Sequence, residues 1–513
     1  MLYVSPYYSP FADARKTEMR VVFGAVDPNA APNAQFTVPP AAAGDATHFL
    51  DDAVLEHNYP ELEPGLWLLN GKAAHRQQYA NIGWWSAEVS DDEAVFNEPP
   101  AITVYFGGVA ITTPGTSIDF DAGSNSYASR IRITTYDADG STIINSQEFE
   151  NDTPFAVLRM ESSGYYYLKI EFLESKHPRQ RVRVSEITFG LKLRYDGDKL
   201  QSMSFVTDAD VASRRFPSKE LQVTIDNSDR LFDILAPENV FAYLQTGSQP
   251  ITATVVINGE SVSLGRFFYT SAKATNGGMT ATIRANDKAL MLEGAAYHPQ
   301  DADAPLWNAV AAVLQDTSID YRFMNPIRNN LVYMGAPDDS DKRETLRLMA
   351  QAARCCCWFD RNGVLCFGDL RIGAEMQRIT ADDLYSFDGV SLEENVDAVE
   401  LIAREIEDAE GNRVENIFRA GEGERVKTFR NPCVALSEGQ AVADWLLECC
   451  KRRRVYKAEN QGDPSMDIGD TVVIEDAYKQ NLLSCVTGMT LKYDGILSAV
   501  TRALGGAENE SNN

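Results

Sequence analysis

Apolar and polar residues alternate through most of the first 300 positions. Met19-Arg-Val-Val-Phe23 reads as a strand. It lies in a Pro- and Ala-rich stretch, 1–54, that otherwise reads as an arm or irregular connection. From 55 to 190 the period is two. Arg130-Ile-Arg-Ile-Thr-Thr-Tyr136 sets Ile131 and Ile133 on one face, Asp137-Ala-Asp-Gly140 turns the chain, and Ser141-Thr-Ile-Ile144 returns. This predicts a hairpin. Tyr166, Leu168, Ile170 and Phe172 share a face. Between Arg181 and Leu193 the apolar set changes parity: Val182 and Val184 give way to Ile187, Phe189, Leu191 and Leu193. A one-residue slip near Ser185 predicts either a bulge or the end of a domain. Short strands with frequent turns and no helical period predict a sandwich or jelly roll. Strands continue at Val223–Ile225, Ile251–Ile257 and Met279–Arg284, with Asn258-Gly259 as a hairpin turn.

Helical spacing begins after residue 300. Leu306, Val310, Val313 and Leu314 fall on one helix face. Asp341-Lys-Arg-Glu344 has capping-box form and precedes an apolar stripe of Leu346, Met349, Ala350 and Ala353. Strands at Cys355–Phe359 and Val364–Phe367 then flank an Asp360-Arg-Asn-Gly363 turn, predicting a compact α+β unit. The stretch Val396–Ile406 fits a strand or a helix, and Glu410-Gly-Asn412 reads as a turn. The best-punctuated segment runs from Asn431 to Gly495. A helix over 438–453 is predicted by a Ser437-Glu-Gly-Gln440 capping box and by Val442, Trp445, Leu446, Cys449 and Cys450 on one face. Lys451–Arg454 falls at the negative end of its dipole. A loop at Asn460–Pro464 leads to a predicted strand pair, Met466–Asp470 and Val472–Asp476, and the segment closes with Val486–Gly495.

The 513 residues suggest about three domains, and 44% hydrophobic content is enough to fill their cores. A formal charge of −27 disfavours a protein that grips nucleic acid through phosphates. Between Met376 and Arg425 there are 14 Asp/Glu against 5 Lys/Arg. That excess fits a solvated acidic surface, or a lumen past which DNA slides without sticking. The start, Met1-Leu-Tyr-Val-Ser-Pro, lacks the basic-then-apolar form of a secretory signal, and no apolar run has the length of a membrane span. The eight cysteines begin only at Cys355 and lack zinc-site spacing, so buried apolar thiols in a reducing compartment are expected.

Catalytic signatures are not found: there is no Walker A loop, Gly-x-Ser-x-Gly or His-Glu-x-x-His. His48, His57, His75, His177 and His298 are scattered. Gly421-Glu-Gly423 is too short and acidic to cradle a phosphate. Asp137, Asp139, Ser141 and Glu148 superficially resemble a calcium loop, but Gly140 is misplaced for an EF-hand and a hairpin turn explains them. Paired carboxylates such as Asp382-Asp383 and Glu393-Glu394 point away from each other. Trp84-Trp85 and Tyr165–Tyr167 are the best aromatic platform candidates, weighed against core packing. Lys451–Arg454 is helix-end chemistry or an interface with an acidic neighbour. No catalytic, cofactor or metal residue is therefore assigned, and ligand-binding residues stay unknown.

Two sets of motifs carry a resemblance. Glu63-Pro-Gly-Leu-Trp67-Leu-Leu-Asn70-Gly71, Ile82-Gly-Trp-Trp-Ser86 and Val182–Gly190 resemble a discoidin-like (coagulation-factor type C) jelly roll. Such a domain is found inserted in tail proteins of phages infecting Gram-positive bacteria, and in its pattern Trp85 is a core residue. Phe216–Asn227 with Arg230-Leu-Phe-Asp233, Glu344–Phe367, Asn431-Pro432, Gly462-Asp-Pro464 and Ile468-Gly-Asp470 resemble the phage tail and baseplate hub family, over most of 191–505. Cys355–Cys357 departs in detail from that pattern.

The resemblance implies a mainly β chain with α+β parts. It would comprise an arm or strand at 1–54, an inserted β-sandwich jelly roll at 55–190 and a hub β-barrel at 191–300. A small α+β domain at 301–375 and a second hub barrel at 376–513 would follow. It further implies a structural virion component, not an enzyme, assembled in the host cytoplasm. Such a component forms a homotrimeric ring between tail tube and tip or spike. Its expected partners are the distal tail protein, the tape-measure protein and baseplate neighbours, with DNA passing through without sequence-specific binding. The jelly roll would brace neighbours or contact host cell-wall glycan. The alternatives are a glycan-binding tail adhesin and, third, a tail-associated cell-wall hydrolase.

Overall fold

The computed structural model describes all residues except 1, 3, 5–7, 12–14, 48, 51–82, 122–123, 125, 233–242, 245–248, 325, 338–339, 408–412, 476–480 and 506–513. The chain is mainly β and divides into two compact units. One holds residues 22–194 and 236–249, the other 1–21, 195–235 and 250–513.

The first unit is a two-sheet β-sandwich. Its first sheet runs in the order Phe155–Leu158, Thr116–Phe120, Arg183–Thr188, Trp84–Ser86, Ala41–Gly44. Its second runs Gln35–Thr37, Ala101–Tyr105, Tyr167–Ser175, Ala128–Tyr136, Ile143–Glu150. All neighbours are antiparallel. Period-two alternation sends Ile131, Ile133, Leu168, Ile170 and Phe172 inward from one sheet. Trp84, Ile118, Phe120, Val184 and Ile187 meet them from the other.

The parity change has a local cause. Val184 pairs with Phe120 and Glu186 with Asp119, so Ser185 is the extra residue of a bulge. The predicted hairpin forms, but its return strand begins at Ile143. Ser141 and Thr142 instead donate their backbone N–H groups to the Asp139 carboxylate, at 2.9 and 2.8 Å, and stay in the turn.

The second unit is built on one long antiparallel path. Pro250–Ile257, Glu260–Thr275, Thr280–Asn286, Glu220–Asp226 and Leu200–Asp208 follow one another as neighbours. Asn258 and Gly259, with φ of 51° and 87°, make the tight turn between the first two. Leu200–Asp208 then pairs with Asn481–Tyr493, from Met203↔Tyr493 to Asp208↔Gly488. That seam joins a second set of strands: Asn481–Tyr493, Leu497–Gly505, Arg454–Asn460 and Leu384–Leu392. Thr471–Glu475 and Gln377–Ile379 continue from the other side of Asn481–Tyr493.

The helices Leu306–Leu314, Lys342–Ala352 and Gly439–Lys451 build a separate apolar core in this unit. The hairpin Cys356–Phe359/Leu365–Gly368 shares it. So does the sheet of Arg413–Gly421, Ala398–Glu407 and Val426–Arg430, which resolves the ambiguous Val396–Ile406 stretch as a strand.

Two local expectations are corrected. Met466–Asp470 is a turn, not a strand: Asp467 N–H donates to the Asp470 carboxylate at 2.7 Å and Gly469 has φ of 90°. The Ser437 capping box does not form. A 3-10 turn over Leu436–Glu438 intervenes, Glu438 takes the N-cap position, and its side chain makes no cap bond. The backbone at Gly439 lies so close to the Phe418 ring that an added Cβ would approach it at 2.2 Å, which fixes the helix start there. The Glu410–Asn412 turn and the Glu63–Gly71 motif lie outside the described residues.

Candidate functional site

Three of the hub-like motifs, Phe216–Asn227, Glu344–Phe367 and Gly462-Asp-Pro464, meet at one buried junction in the second unit. Arg361, from the Asp360-Arg-Asn-Gly363 turn, is 4% exposed. Its Nη1 donates to the carbonyl of Ser263, at 2.9 Å, and to that of Pro464. Its Nη2 donates to the Met466 carbonyl. Its Nε lies 3.6 Å from Asp467, whose other carboxylate oxygen is 3.5 Å from Lys219 Nζ. Burial pushes Asp467 up, but the Lys219 and Arg361 cations outweigh it, so its carboxyl titrates below the usual range.

Around this pair the N-terminal segment is tied down. Tyr8 donates to Asp463 at 2.9 Å, and Arg15 reaches the Gln461 and Gly462 carbonyls at 2.6 and 2.8 Å. Burial pushes Asp463 above the usual carboxylate range, against the bonds from Ser465. Nearby, Asp287 accepts backbone N–H bonds from Lys219 and Ala289, both at 3.1 Å, yet burial raises it to about 6. Asn431, fully buried, performs a similar tie by donating to the Leu348 carbonyl at 2.9 Å.

A cleft of about 710 Å3 opens in the same unit. One wall is the loop 209–215, whose carbonyls are claimed in turn by buried side chains. Cys356 donates to Asp210 at 3.2 Å and Cys449 to Val211 at 3.4 Å. Gln351 donates to Ala212 at 2.7 Å and Arg347 to Ser213 at 2.6 Å. The floor includes Thr487, which lies where the register of Asn481–Tyr493 against Leu497–Gly505 slips between Val486 and Gly488. Bulges of this kind re-aim side chains. Arg214, Arg215, Arg425, Lys427, Arg452 and Arg502 line the cleft, with Asp210, Glu393, Glu394 and Glu424 between them.

No protein-family model matches the chain. No curated protein matches it either. Solved structures do align with it. A tail protein from Neisseria meningitidis MC58 is 12% identical, over 60% of this chain and 93% of its own, with a TM-score of 0.43. The 43 kDa tail protein of prophage MuSo2 from Shewanella oneidensis is 13% identical, over 61% and 95%, with a TM-score of 0.44. Prophage tail protein gp18 from Listeria monocytogenes EGD-e is 11% identical, over 62% and 92%, with a TM-score of 0.39.

The residues singled out by sequence take up structural positions. Trp84 and Trp85 are both buried, and the Arg183 guanidinium lies 4.0 Å from the Trp85 ring centre. Tyr165 is buried and its hydroxyl is 3.1 Å from that of Thr113. Tyr167 has one face against Tyr105, ring centres 4.6 Å apart, and Gly140 lies over its ring on the turn. The buried tryptophan pair offers no free flat platform. Glu148 is paired with Arg132, and Asp139 is held well below the usual carboxylate range by the Thr142 and Ser141 donors of its turn. Among the described residues, no three His, Cys, Asp or Glu are grouped to hold a metal ion. No helix among them is long and apolar enough to cross a membrane.

His177 and His298 are exposed; His48, His57 and His75 lie outside the described residues. Cys355, Cys356 and Cys357 are fully buried in or beside a strand, and burial pushes all three thiols up. In the basic run, Arg452 donates to the Leu370 carbonyl and Arg453 to that of Glu393 at 2.7 Å. The cleft and the Tyr8 and Arg15 ties were not foreseen. Their partners lie hundreds of residues apart, and no local spacing marks them.

Proposed function

We propose that this chain is a structural hub-type component of a phage tail, baseplate or related injection device. One observation carries the reading. Two antiparallel strand sets in one polypeptide share a single seam, Met203–Asp208 against Gly488–Tyr493, and three of the hub-like motifs meet at one buried junction in the same unit. In the hub family each chain supplies two related barrels, so three chains can present six similar faces to a hexameric tube. On this reading the hub barrels fall within 191–300 and 376–513, the α+β domain at 301–375 shares its core with the sheet of 398–430 and the helix Gly439–Lys451, and the jelly roll at 55–190 is joined by Gln35–Thr37 and Ala41–Gly44. The chain would form a trimeric ring between tail tube and tip, open to DNA, in the virion.

The acidic composition suits such a channel, because like charge removes the contacts that would hold DNA. Electron microscopy of the purified assembly tests the reading. A closed ring of three at the tube–tip junction is expected. A chain that stays monomeric and never copurifies with particles would sink it.

A further inference from the structure

We propose that the Asp463–Pro464 peptide bond is a self-cleavage site, where the Asp463 side chain cuts its own backbone and leaves two fragments, 1–463 and 464–513. The inference does not depend on the hub reading. It starts from bond chemistry. An aspartate carboxyl oxygen that bonds to its own carbonyl carbon closes a five-membered ring, so no remote nucleophile is needed. Proline is the residue best suited to leave, because its nitrogen belongs to a tertiary amide without an N–H. The chain has two such bonds, Asp27–Pro28 and Asp463–Pro464.

At Asp463 the reacting parts are held in place. Its Oδ1 accepts from the Ser465 N–H at 2.8 Å, the Ser465 hydroxyl at 2.7 Å and the Tyr8 hydroxyl at 2.9 Å. A bond to the N–H two residues ahead folds the carboxyl forward, over the Asp463–Pro464 peptide. Its Oδ2 is buried and has no hydrogen-bond partner among the described residues. A buried oxygen left unmatched in this way calls for an explanation, and a role as nucleophile supplies one. The Asp463 carbonyl oxygen accepts from the Met466 N–H at 3.3 Å, a donor placed for the charge that develops there on attack. On the leaving side, Arg361 Nη1 donates to the Pro464 carbonyl, so both halves of the bond are oriented. Burial raises the Asp463 carboxyl against the Ser465 and Tyr8 bonds and the Arg361 cation. Arg15 faces it beside Tyr8, and Asp467 stands beyond Arg361, 3.6 Å from its Nε. The protonated carboxyl is therefore reached before strong acid.

The step balances within the loop. Oδ2 bonds to the Asp463 carbonyl carbon, the bond from that carbon to the Pro464 nitrogen breaks, and the carboxyl proton passes to that nitrogen. The cyclic anhydride left on Asp463 then takes one water and opens to two carboxyls. The fragment 464–513 still contains Asn481–Tyr493, whose pairing with Leu200–Asp208 keeps the cut pieces together. Asp27 supplies the contrast. It makes the same turn, with Oδ1 accepting from the Asn29 N–H at 2.9 Å, but its Oδ2 accepts from the Thr112 N–H at 3.0 Å. It is also partly exposed.

Incubation of the full chain at about pH 5, read on denaturing gels and by intact mass, tests this. Fragments 1–463 and 464–513 are expected, with masses that sum to the parent plus one water and proline at the new N-terminus. Cleavage at Asp463–Pro464 should run at least about tenfold faster than at Asp27–Pro28 in the same molecules, and in denaturant the two rates should converge to within about threefold. Asp463→Glu, whose ring would be one atom larger, should be cut at least about tenfold more slowly. If that variant does not fold, the comparison of the two bonds in the parent carries the test. An uncut bond, a smaller preference in the folded chain, or a preference that survives denaturant would overturn the proposal. So would undiminished cutting of folded Asp463→Glu, which would mark an outside protease.

Discussion

Arg361 shows how much one side chain can organise. Its guanidinium serves three backbone carbonyls and faces Asp467 in a setting from which water is nearly absent. Only a planar fork of donors can do this; a lysine is a point charge on a flexible stem. Arg361→Met should destabilise the second unit by about 3–5 kcal/mol in denaturant unfolding, because Asp467 loses one of its two buried cations. Arg361→Lys should recover less than half of that loss. A full recovery would mean that charge alone matters there.

Asp287 makes a separate prediction. Its folded value of about 6 lies above its ordinary 3.8, so its protonated form favours folding. That contribution is complete below about pH 3.8 and is lost as pH rises through about 6. Relative to Asp287→Asn, the parent should lose on the order of 2–3 kcal/mol between acid and neutral pH. Parallel stability profiles for the two proteins would refute the assignment.

At the scale of elements, the sequence marks existence better than ends. The helix at Gly439–Lys451 was legible from Val442, Trp445 and Leu446, since an apolar stripe survives any choice of cap. Its start was not, because close packing of Gly439 on Phe418 is a tertiary contact that Ser437 cannot signal. The Lys342–Ala352 helix is the counter-example: Asp341 does cap it, accepting from Glu344 N–H at 2.8 Å. Thus Asp341→Ala should cost about 1 kcal/mol and Ser437→Ala less than about 0.5 kcal/mol, by thermal or chemical unfolding. Equal losses would show that the two helix starts had been misassigned. The bulge at Ser185 was legible for a similar reason, because burial parity reports register directly. The turn at Met466–Asp470 was not, because Met466 and Ile468 alternate like strand residues while serving as turn anchors in the core.

Across the whole molecule, most of the strand content could be read from alternation, whereas the partition into units and the cleft could not. The cleft draws its walls from 209–215, 393–396, 424–427 and 449–455, and from the last described strand, Leu497–Gly505. Nothing local announces that these pieces meet. The eight thiols have a related whole-molecule distribution: every one lies in the second unit, and seven of them are buried. Burial raises each titration point, so little thiolate is available while the fold is closed. The chain therefore carries its own chemical clock. Alkylation of these cysteines counts the openings of the second unit and stays silent about the first, so one unit can be timed alone without adding a probe.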